Sequence, residues 1–398
     1  MQIIQINPMD MLATSVGVLF LGMFLNRRVK VLAENYIPPA VTGGLLFAGA
    51  AALLHHFADV ELEFDMRLRD LLLLVFFSTV GLSARFSALA AGGRALAILV
   101  LAAGVFLVLQ NAVGIGIATI WGANPGYGLM AGSVSFAGGH GTAIAWGQVA
   151  EEAGLAGAAP MGLAFATFGL VAGGLVGGPV ARRLLLRSPL PTEKTGRPDL
   201  SPQPADATDD ADWLFQVLVA LLVLALCVSL GDLVNRSLLD RGLRFPGFLT
   251  AMFVGIIMTN ALDAIGRPLR SHTLDRFGEV ALNVFLAMSM MAIELWTLGS
   301  ALRAITVVLL AQVLLMTVFA IWVVYRIMGR DYDAVVIAAG FTGLGLGATP
   351  VAIANMDAVT ARYGPSTKAF LVVPLVGAFF IDILNAGTIN FFIRLLSH

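Results

Sequence analysis

Stretches of about 20 consecutive, mostly apolar residues recur along this chain, and no other feature restricts its fold as strongly. They fall near residues 10–25, 39–56, 70–84, 95–121 and 158–181, then 213–232, 246–262, 280–297, 304–325 and 369–395. In hydrocarbon every backbone N–H and C=O needs an internal partner, which a helix supplies. Each stretch is therefore expected to be a membrane-spanning helix. Charge agrees, because only 12% of the 398 residues are charged and 58% are apolar. A soluble domain carries roughly 25% charged residues, so this chain cannot cover a water-facing surface of its size. The net charge of −1 and the lack of a basic run point to no nucleic-acid partner. A lone cysteine, Cys227, excludes a disulfide framework and a cysteine metal site; it reads as a small buried apolar residue. Met1 to Asp10 holds no Lys or Arg, so the basic region of a signal peptide is missing and the first stretch is expected to remain as a span.

One segment reads as a soluble linker. Ser188 to Asp212 holds five prolines, five Asp, one Glu, one Lys and one Arg, a composition that cannot bury a core. It separates an N-terminal half (1–187) from a C-terminal half (213–398), with five expected spans in each. With the N-terminus outside, 17 of the 24 basic residues fall in inner loops, among them Arg27, Arg28, Lys30, Arg182, Arg183 and Arg187. Basic residues favour the cytoplasmic side, so both termini are expected outside and the linker in the cytoplasm.

The halves resemble each other. An offset of 209 carries Val75-Phe76-Phe77 onto Val284-Phe285-Leu286 and Arg94-Ala95 onto Arg303-Ala304. Tyr36 to Thr42 parallels Phe245 to Thr250, while an offset of 205 relates Tyr127 to Tyr332, Phe136 to Phe341, Gly138 to Gly343 and Phe165 to Phe370. A nearly constant offset is the mark of a duplication. Five spans is an odd number, so the second copy enters from the opposite side. The expected fold class is therefore an all-α polytopic membrane protein of two inverted five-span repeats, the usual plan of secondary transporters.

Two further segments are apolar but wrong for a span. Gly128 to Trp146 contains Ser135-Phe136-Ala137-Gly138-Gly139-His140-Gly141-Thr142, and Ala334 to Met356 contains Phe341-Thr342-Gly343-Leu344-Gly345-Leu346-Gly347-Ala348-Thr349-Pro350. Clustered glycines weaken a continuous helix. Each segment (near 128–147 and 334–356) is expected to form a re-entrant hairpin, one dipping in from each side so that the tips meet near mid-membrane. Thr142 and Thr349 are expected to cap the returning half-helices, whose N–H groups and positive dipole ends suit a carboxylate. Two facing tips suit a solute with two carboxylates. The competing reading is that these glycines merely allow close helix packing; their occurrence at matching positions of both halves favours a site.

At these motifs the chain resembles the glutamate:sodium symporter family. The likeness is carried by Ala137 to Thr142, by Gly343 to Pro350 with Ala352-Ile353-Ala354-Asn355-Met356, and by Phe64-Asp65-Met66, Leu68-Arg69-Asp70, Gln110-Asn111-Ala112, Val373-Pro374 and Gly377 to Asp382. It departs at Ala137 and Ala143, where the family pattern has serine and glycine, and at Phe341-Thr342, where it has histidine and cysteine. The resemblance implies a homodimer in the bacterial inner membrane, in which a mobile domain holding both hairpins moves against a fixed scaffold. It also implies sodium-driven uptake of glutamate, with no cofactor beyond the coupling ion.

Ser135, Gly138, Gly139, His140, Gly141, Thr142, Thr342, Gly343, Gly345, Gly347, Thr349 and Asn355 are the candidate substrate-binding residues. Asp382 lies mid-span, where an acid costs about 2.5–3.5 kcal/mol; it and Asn385, one turn on, are candidate sodium ligands. A hydrogen bond to a neighbouring helix is the alternative for Asp382. His140 can meet the ligand or the hairpin backbone, and Asn355 can bind sodium, substrate or another helix. Gln110, Asn111 and Gln312 read as polar links between helices, and Met288, Met290 and Met291 as packing. A different dicarboxylate, a citrate-like anion, or proton coupling through Asp382 would fit the same architecture. An intramembrane enzyme using His140 and Ser135 lacks a complete nucleophile, base and orienting group. A passive channel fits the repeat plan poorly.

Overall fold

The computed structural model describes residues 2–30, 32, 37–186, 210–240, 246–269, 271–293 and 302–396. The expected linker falls outside the described residues up to position 209, as do Tyr36 and Phe245 of the repeat comparison. The apolar stretches form helices α1 (Pro8–Arg28), α2 (Pro39–Ala58), α3 (Arg67–Ser83), α4 (Phe86–Ile120), α5 (Pro125–Leu129), α6 (Gly139–Glu152) and α7 (Ala158–Leu185). The second half gives α8 (Asp210–Leu239), α9 (Gly247–Ala264), α10 (Ser271–Met291), α11 (Leu302–Phe319), α12 (Tyr332–Leu346), α13 (Thr349–Tyr363), α14 (Thr367–Leu375) and α15 (Ile381–Leu396). The rod of α11 runs on through a π-helical turn, Ala320–Val324, to Ile327, and another π turn, Val376–Phe380, joins α14 to α15.

Local chemistry sets several starts. Asn7 caps α1, its side chain accepting from the N–H groups of Met9 and Asp10 at 3.0 Å each. Pro38 precedes α2 and Pro246 precedes α9, matched in place and in extended backbone. Seven helices among the described residues are long and apolar enough to cross a membrane. The other three expected spans are also helical but interrupted or polar. α3 has 17 residues; α10 carries Asp275, Arg276 and Glu279 in its first half; and the α14–α15 rod contains Pro374 and the π turn. Large side chains such as Phe20, Leu101, Leu222 and Leu310 point outward, as lipid contact requires. The chain is a multi-pass membrane protein. One element lies outside the helical expectation, a parallel pair of strands, Gln2–Ile6 beside Val60–Phe64.

Six helices form one group with reciprocal packing. α1 lies on α2 as α8 lies on α9; α3 packs on α9 as α10 packs on α2; and α3 meets α10. A Cβ added to Gly81 of α3 would collide with the Met252 carbonyl of α9, and one on Gly44 of α2 would collide with Met290 of α10. The offset of 209 carries Gly81 onto Met290 and Gly43 onto Met252, so the two contacts match to within one residue with the small and large partners exchanged. Cys227 is buried in this group, as its apolar setting suggests.

A second group contains α4, α7, α11, α14 and α15 around the two interrupted segments. α4 meets α14 and α15 as α11 meets α7, and α4 also crosses α11. Phe106, Phe319 and Phe341 join α4, α11 and α12, with ring centroids 5.1, 5.6 and 6.0 Å apart. Such aromatic pairs contribute roughly 0.5–1.5 kcal/mol each beyond their burial. Where the groups touch, α6 lies against Phe76 of α3 and Phe285 of α10, whose rings are 5.7 Å apart. Trp146 meets Phe248 edge-on at 5.9 Å.

Candidate functional site

Both Gly-rich segments break where the glycines fall. In the first, α5 leads into a π-helical turn, Met130–Val134, with non-helical backbone at Gly132, and the chain reverses before α6 starts after Gly138. Gly139 has φ +66, a conformation in which a side chain costs roughly 1–2 kcal/mol. In the second, α12 ends at Leu346, Gly347 and Ala348 make the turn, and α13 begins at Thr349. The two breaks lie together: a Cβ on Gly139 would stand 3.4 Å from the Gly347 carbonyl oxygen.

The bases are built alike. Asn124 accepts from Gly126 N–H to cap α5, and Asp331 accepts from Ala334 N–H to cap α12. Tyr127 donates from its hydroxyl to Ala156 O at 2.9 Å, tying the way in to the way out. Tyr332, its counterpart by the offset of 205, donates to Gly364 O across the base of the second segment.

The expected threonine caps are not formed. α6 is capped by Gly138 and α13 by Ala348, neither with a side-chain hydrogen bond. Each helix begins earlier than the threonine-cap reading requires, so Thr142 lies within the first turn of α6 and Thr349 opens α13. The consequence is that both helix beginnings lack a side-chain oxygen, leaving their first-turn N–H groups and positive dipole ends uncovered by a cap.

The remaining candidates have definite partners. His140 is buried, with Nε2 3.0 Å from Thr167 Oγ1; because that hydroxyl donates to Leu163 O, the ring nitrogen is the donor. His140 is thus tied to α7 by a side chain rather than to hairpin backbone. Ser135 donates back to Met130 O at 2.6 Å. Thr342 donates to Ala339 O and accepts from Asn355 Nδ2. Asn355 also donates to Gly173 O at 2.9 Å and rests on Gly177, where a Cβ would clash with its amide. Gly343 O accepts from Ala348 N–H at 3.0 Å and Gly345 O from Gln110 Nε2 at 2.8 Å. Gly141 faces Phe76.

On the last helix, Asn385 donates to Ser133 O at 3.0 Å and accepts from Ser133 Oγ at 2.5 Å, beside Gly138. Asp382 is half-buried in the first turn of α15, and among the described residues no side-chain hydrogen bond or ion pair involves it. The two candidate ion ligands are therefore in different states, Asn385 engaged and Asp382 open.

Several residues near the breaks carry more than the sequence reading gave them. Asn111 Oδ1 accepts from Ser133 N–H at 2.8 Å and lies 2.9 Å from Ser133 Oγ, whose single hydrogen goes to the nearer Asn385 oxygen. Gln312 Nε2 donates to Gln110 O and Ala131 O at 2.9 and 3.0 Å. These polar links reach the interrupted segments as well as neighbouring spans; their mid-span positions in α4 and α11 were the available signal. A cavity of about 540 Å³ lies between the ends of α6, α7, α10 and α3, lined by Ile144, Gln148, Leu163, Ser289 and Arg69 among others. Arg69 is paired with Asp70 at 2.7 Å, and Asp70 also accepts from Gln148 at 3.0 Å.

The family model for the sodium/glutamate symporter matches residues 4–365. The chain is 44% identical over 396 residues to a protein named Sodium/glutamate symporter from Escherichia coli (strain K12), covering 97% of this chain and 98% of the relative. It is 41% identical over 395 residues to a protein of the same name from Haemophilus influenzae (strain ATCC 51907 / DSM 11121 / KW20 / Rd), covering 96% of each. A multi-pass helical chain whose Gly-rich breaks meet at Gly139 and Gly347, and which matches these relatives almost end to end, belongs to the sodium/glutamate symporter family.

Proposed function

We propose that this protein carries glutamate across the bacterial inner membrane together with sodium, by alternating access, and catalyses no covalent reaction. The observation that carries the reading is the meeting of two uncapped helix beginnings, after Gly138 and after Ala348, at adjoining backbone breaks. Helix beginnings without a side-chain cap direct their positive dipole ends at the junction, which suits an anion, and a solute with a carboxylate at each end can use both. The substrate surface comprises Gly138, Gly139, Gly141, Gly343, Gly345 and Gly347, with His140, Thr142, Ser135, Thr342, Thr349 and Asn355 shaping it. Asp382 supplies negative charge to the sodium path, with Asn385 one turn away.

The reciprocal packing of α1–α3 with α8–α10, and of α4 and α7 with α11 and α15, supports two inverted repeats on either side of a cytoplasmic linker. It supports reading the interrupted segments as re-entrant hairpins. The six-helix group is the scaffold and the second group is the moving domain of an elevator, assembled as a homodimer in line with the family resemblance. With both termini outside, the cavity beside the Arg69–Asp70 pair opens on the outer face.

The test is uptake of labelled glutamate by proteoliposomes with an inward sodium gradient, with sodium replaced by choline, and with a proton gradient alone. Competition by aspartate, malate and citrate defines the cargo. Uptake that needs sodium and resists malate and citrate supports the proposal; uptake driven by protons alone, or displaced by citrate, overturns it.

A further inference from the structure

The polar cluster where α4 crosses α11 has an imbalance that neither the hairpin tips nor Asp382 explains. Gln110 and Gln312 are fully buried, and their side-chain oxygens, Gln110 Oε1 and Gln312 Oε1, have no hydrogen-bond partner. Their amide orientations are fixed by their surroundings. Gln312 Nε2 spends both hydrogens on Gln110 O and Ala131 O; turned over, its oxygen would face two carbonyls. Gln110 Nε2 donates to Gly345 O, and the same argument holds it in place. Two neutral, strongly dipolar oxygens are thus left in the interior with no donor among the described residues, on residues joined by the bond from the Gln312 side chain to the Gln110 backbone carbonyl.

We infer that Gln110 Oε1 and Gln312 Oε1 are ligands of the coupling sodium ion, at a site apart from Asp382. Oxygen ligands suit a hard cation. Among the described residues no carboxylate hydrogen-bonds into the cluster, so a monovalent ion fits better than a divalent one, whose sites are built largely from carboxylates. The neighbouring Asn111 Nδ2 is a buried donor without a partner, held so because Asn111 Oδ1 accepts from Ser133 N–H. A water between that amide and the ion completes the inventory.

The location gives the site a role in coupling. Gln312 holds the first hairpin through Ala131 O, and Gln110 holds the second through Gly345 O. An ion drawn between the two oxygens fixes both hairpins in register before the solute arrives. Sodium binding then precedes and strengthens glutamate binding, since a first ligand that orders a site lowers the ordering cost for the second.

The inference rests on the sodium-coupled reading, and one experiment separates their failures. The purified full-length protein in nanodiscs, without glutamate, is titrated with NaCl against choline chloride at constant ionic strength, following its melting temperature. The wild type should show a saturable rise specific to sodium. Gln110→Met and Gln312→Met remove one oxygen at nearly constant length and should raise the sodium midpoint about tenfold or abolish the response. Gln110→Glu keeps the oxygen, adds charge, and should lower the midpoint. Because the readout is the sodium-induced increment, a variant that is merely less stable still reports. Wild-type midpoints in both Met variants, or in Gln110→Glu should the Met variants not fold, would mean waters alone occupy the cluster and would overturn the site while leaving sodium coupling intact. No sodium response in the wild type overturns both.

Discussion

The two interrupted segments share a plan and differ in regularity. The second has a regular 15-residue limb, α12, and a single break at Gly347. The first has a five-residue helix, a π turn and a displaced backbone at Gly132 before its own turn. Their bases match, each with a side-chain cap and a tyrosine clasp. The two segments thus share their anchoring chemistry although one limb is irregular. Irregularity is tolerated in a membrane only where freed backbone groups find partners. Here Asn111, Asn385 and Gln312 satisfy the Ser133 and Ala131 backbone groups, whereas the regular limb needs Gln110 at only one carbonyl.

The largest expected effect separates the two turns by cause. Gly139→Ala puts a side chain at φ +66 and should slow glutamate uptake about tenfold, matching a backbone cost of roughly 1–2 kcal/mol. Gly347→Ala meets only crowding, its Cβ 3.1 Å from Leu170 Cα, and should cost less; equal losses in initial uptake rate would dissolve this distinction. Next come the two amides that join an interrupted segment to a helix of the other half, Asn385 and Asn355. Asn385→Ala removes one of two hydrogen bonds to Ser133 O, the other coming from Gly138 N–H, and Asn355→Ala removes the side-chain bond to Gly173 O, so each should destabilise by about 0.5–1.5 kcal/mol in chemical denaturation. Asn385→Ala should be the worse, since only it also abandons a serine hydroxyl hydrogen bond of 2.5 Å. Tyr127→Phe and Tyr332→Phe each lose one clasp, expected at about 0.5–1.5 kcal/mol. Matching losses would support equivalent bases, and a one-sided loss would show that the resemblance is only geometric.

The smallest effect lies on a segment without a counterpart. The strand pair 2–6 with 60–64 belongs to the first half, whereas positions 211–215, at the offset of 209 from the first strand, are helical. Just after it, the Arg67 guanidinium bonds Asp65 and holds its carboxyl down at about 2, below the usual 3.8. A depressed carboxyl contributes stability above pH 3.8 that is lost as the pH falls through about 2. Arg67→Gln should return the titration toward 3.8 in an infrared carboxylate titration and leave uptake unchanged; a loss of uptake would show that the strand pair serves the transport cycle.

Most of the helical layout was legible because lipid requires long apolar runs, and the breaks at Gly139 and Gly347 because glycine clusters oppose helix. The strand pair was not legible: its partners are separated by 58 residues, and two five-residue strands carry no local sign of parallel pairing. Capping misled at Thr142 and Thr349, where threonine is a favoured cap but the turn placed Gly138 and Ala348 there instead. Gln110 and Gln312 were visible as polar residues in apolar spans, yet only the folded arrangement reveals that Ala131 O and Gly345 O occupy their nitrogens and leave their oxygens unmet.

The glycine notches of the six-helix group limit how the molecule can move. Gly81 seats the Met252 main chain and Gly44 seats the Met290 Cβ, neither of which a change of rotamer can move, so a slip of even one residue would drive Cβ atoms into these fixed groups. That assembly is a rigid keel. In the elevator proposed above, the sliding surface is the seam where α6 meets the rings of Phe76, Phe285 and Phe248, and among the described residues no ion pair joins α6 to those rings' helices.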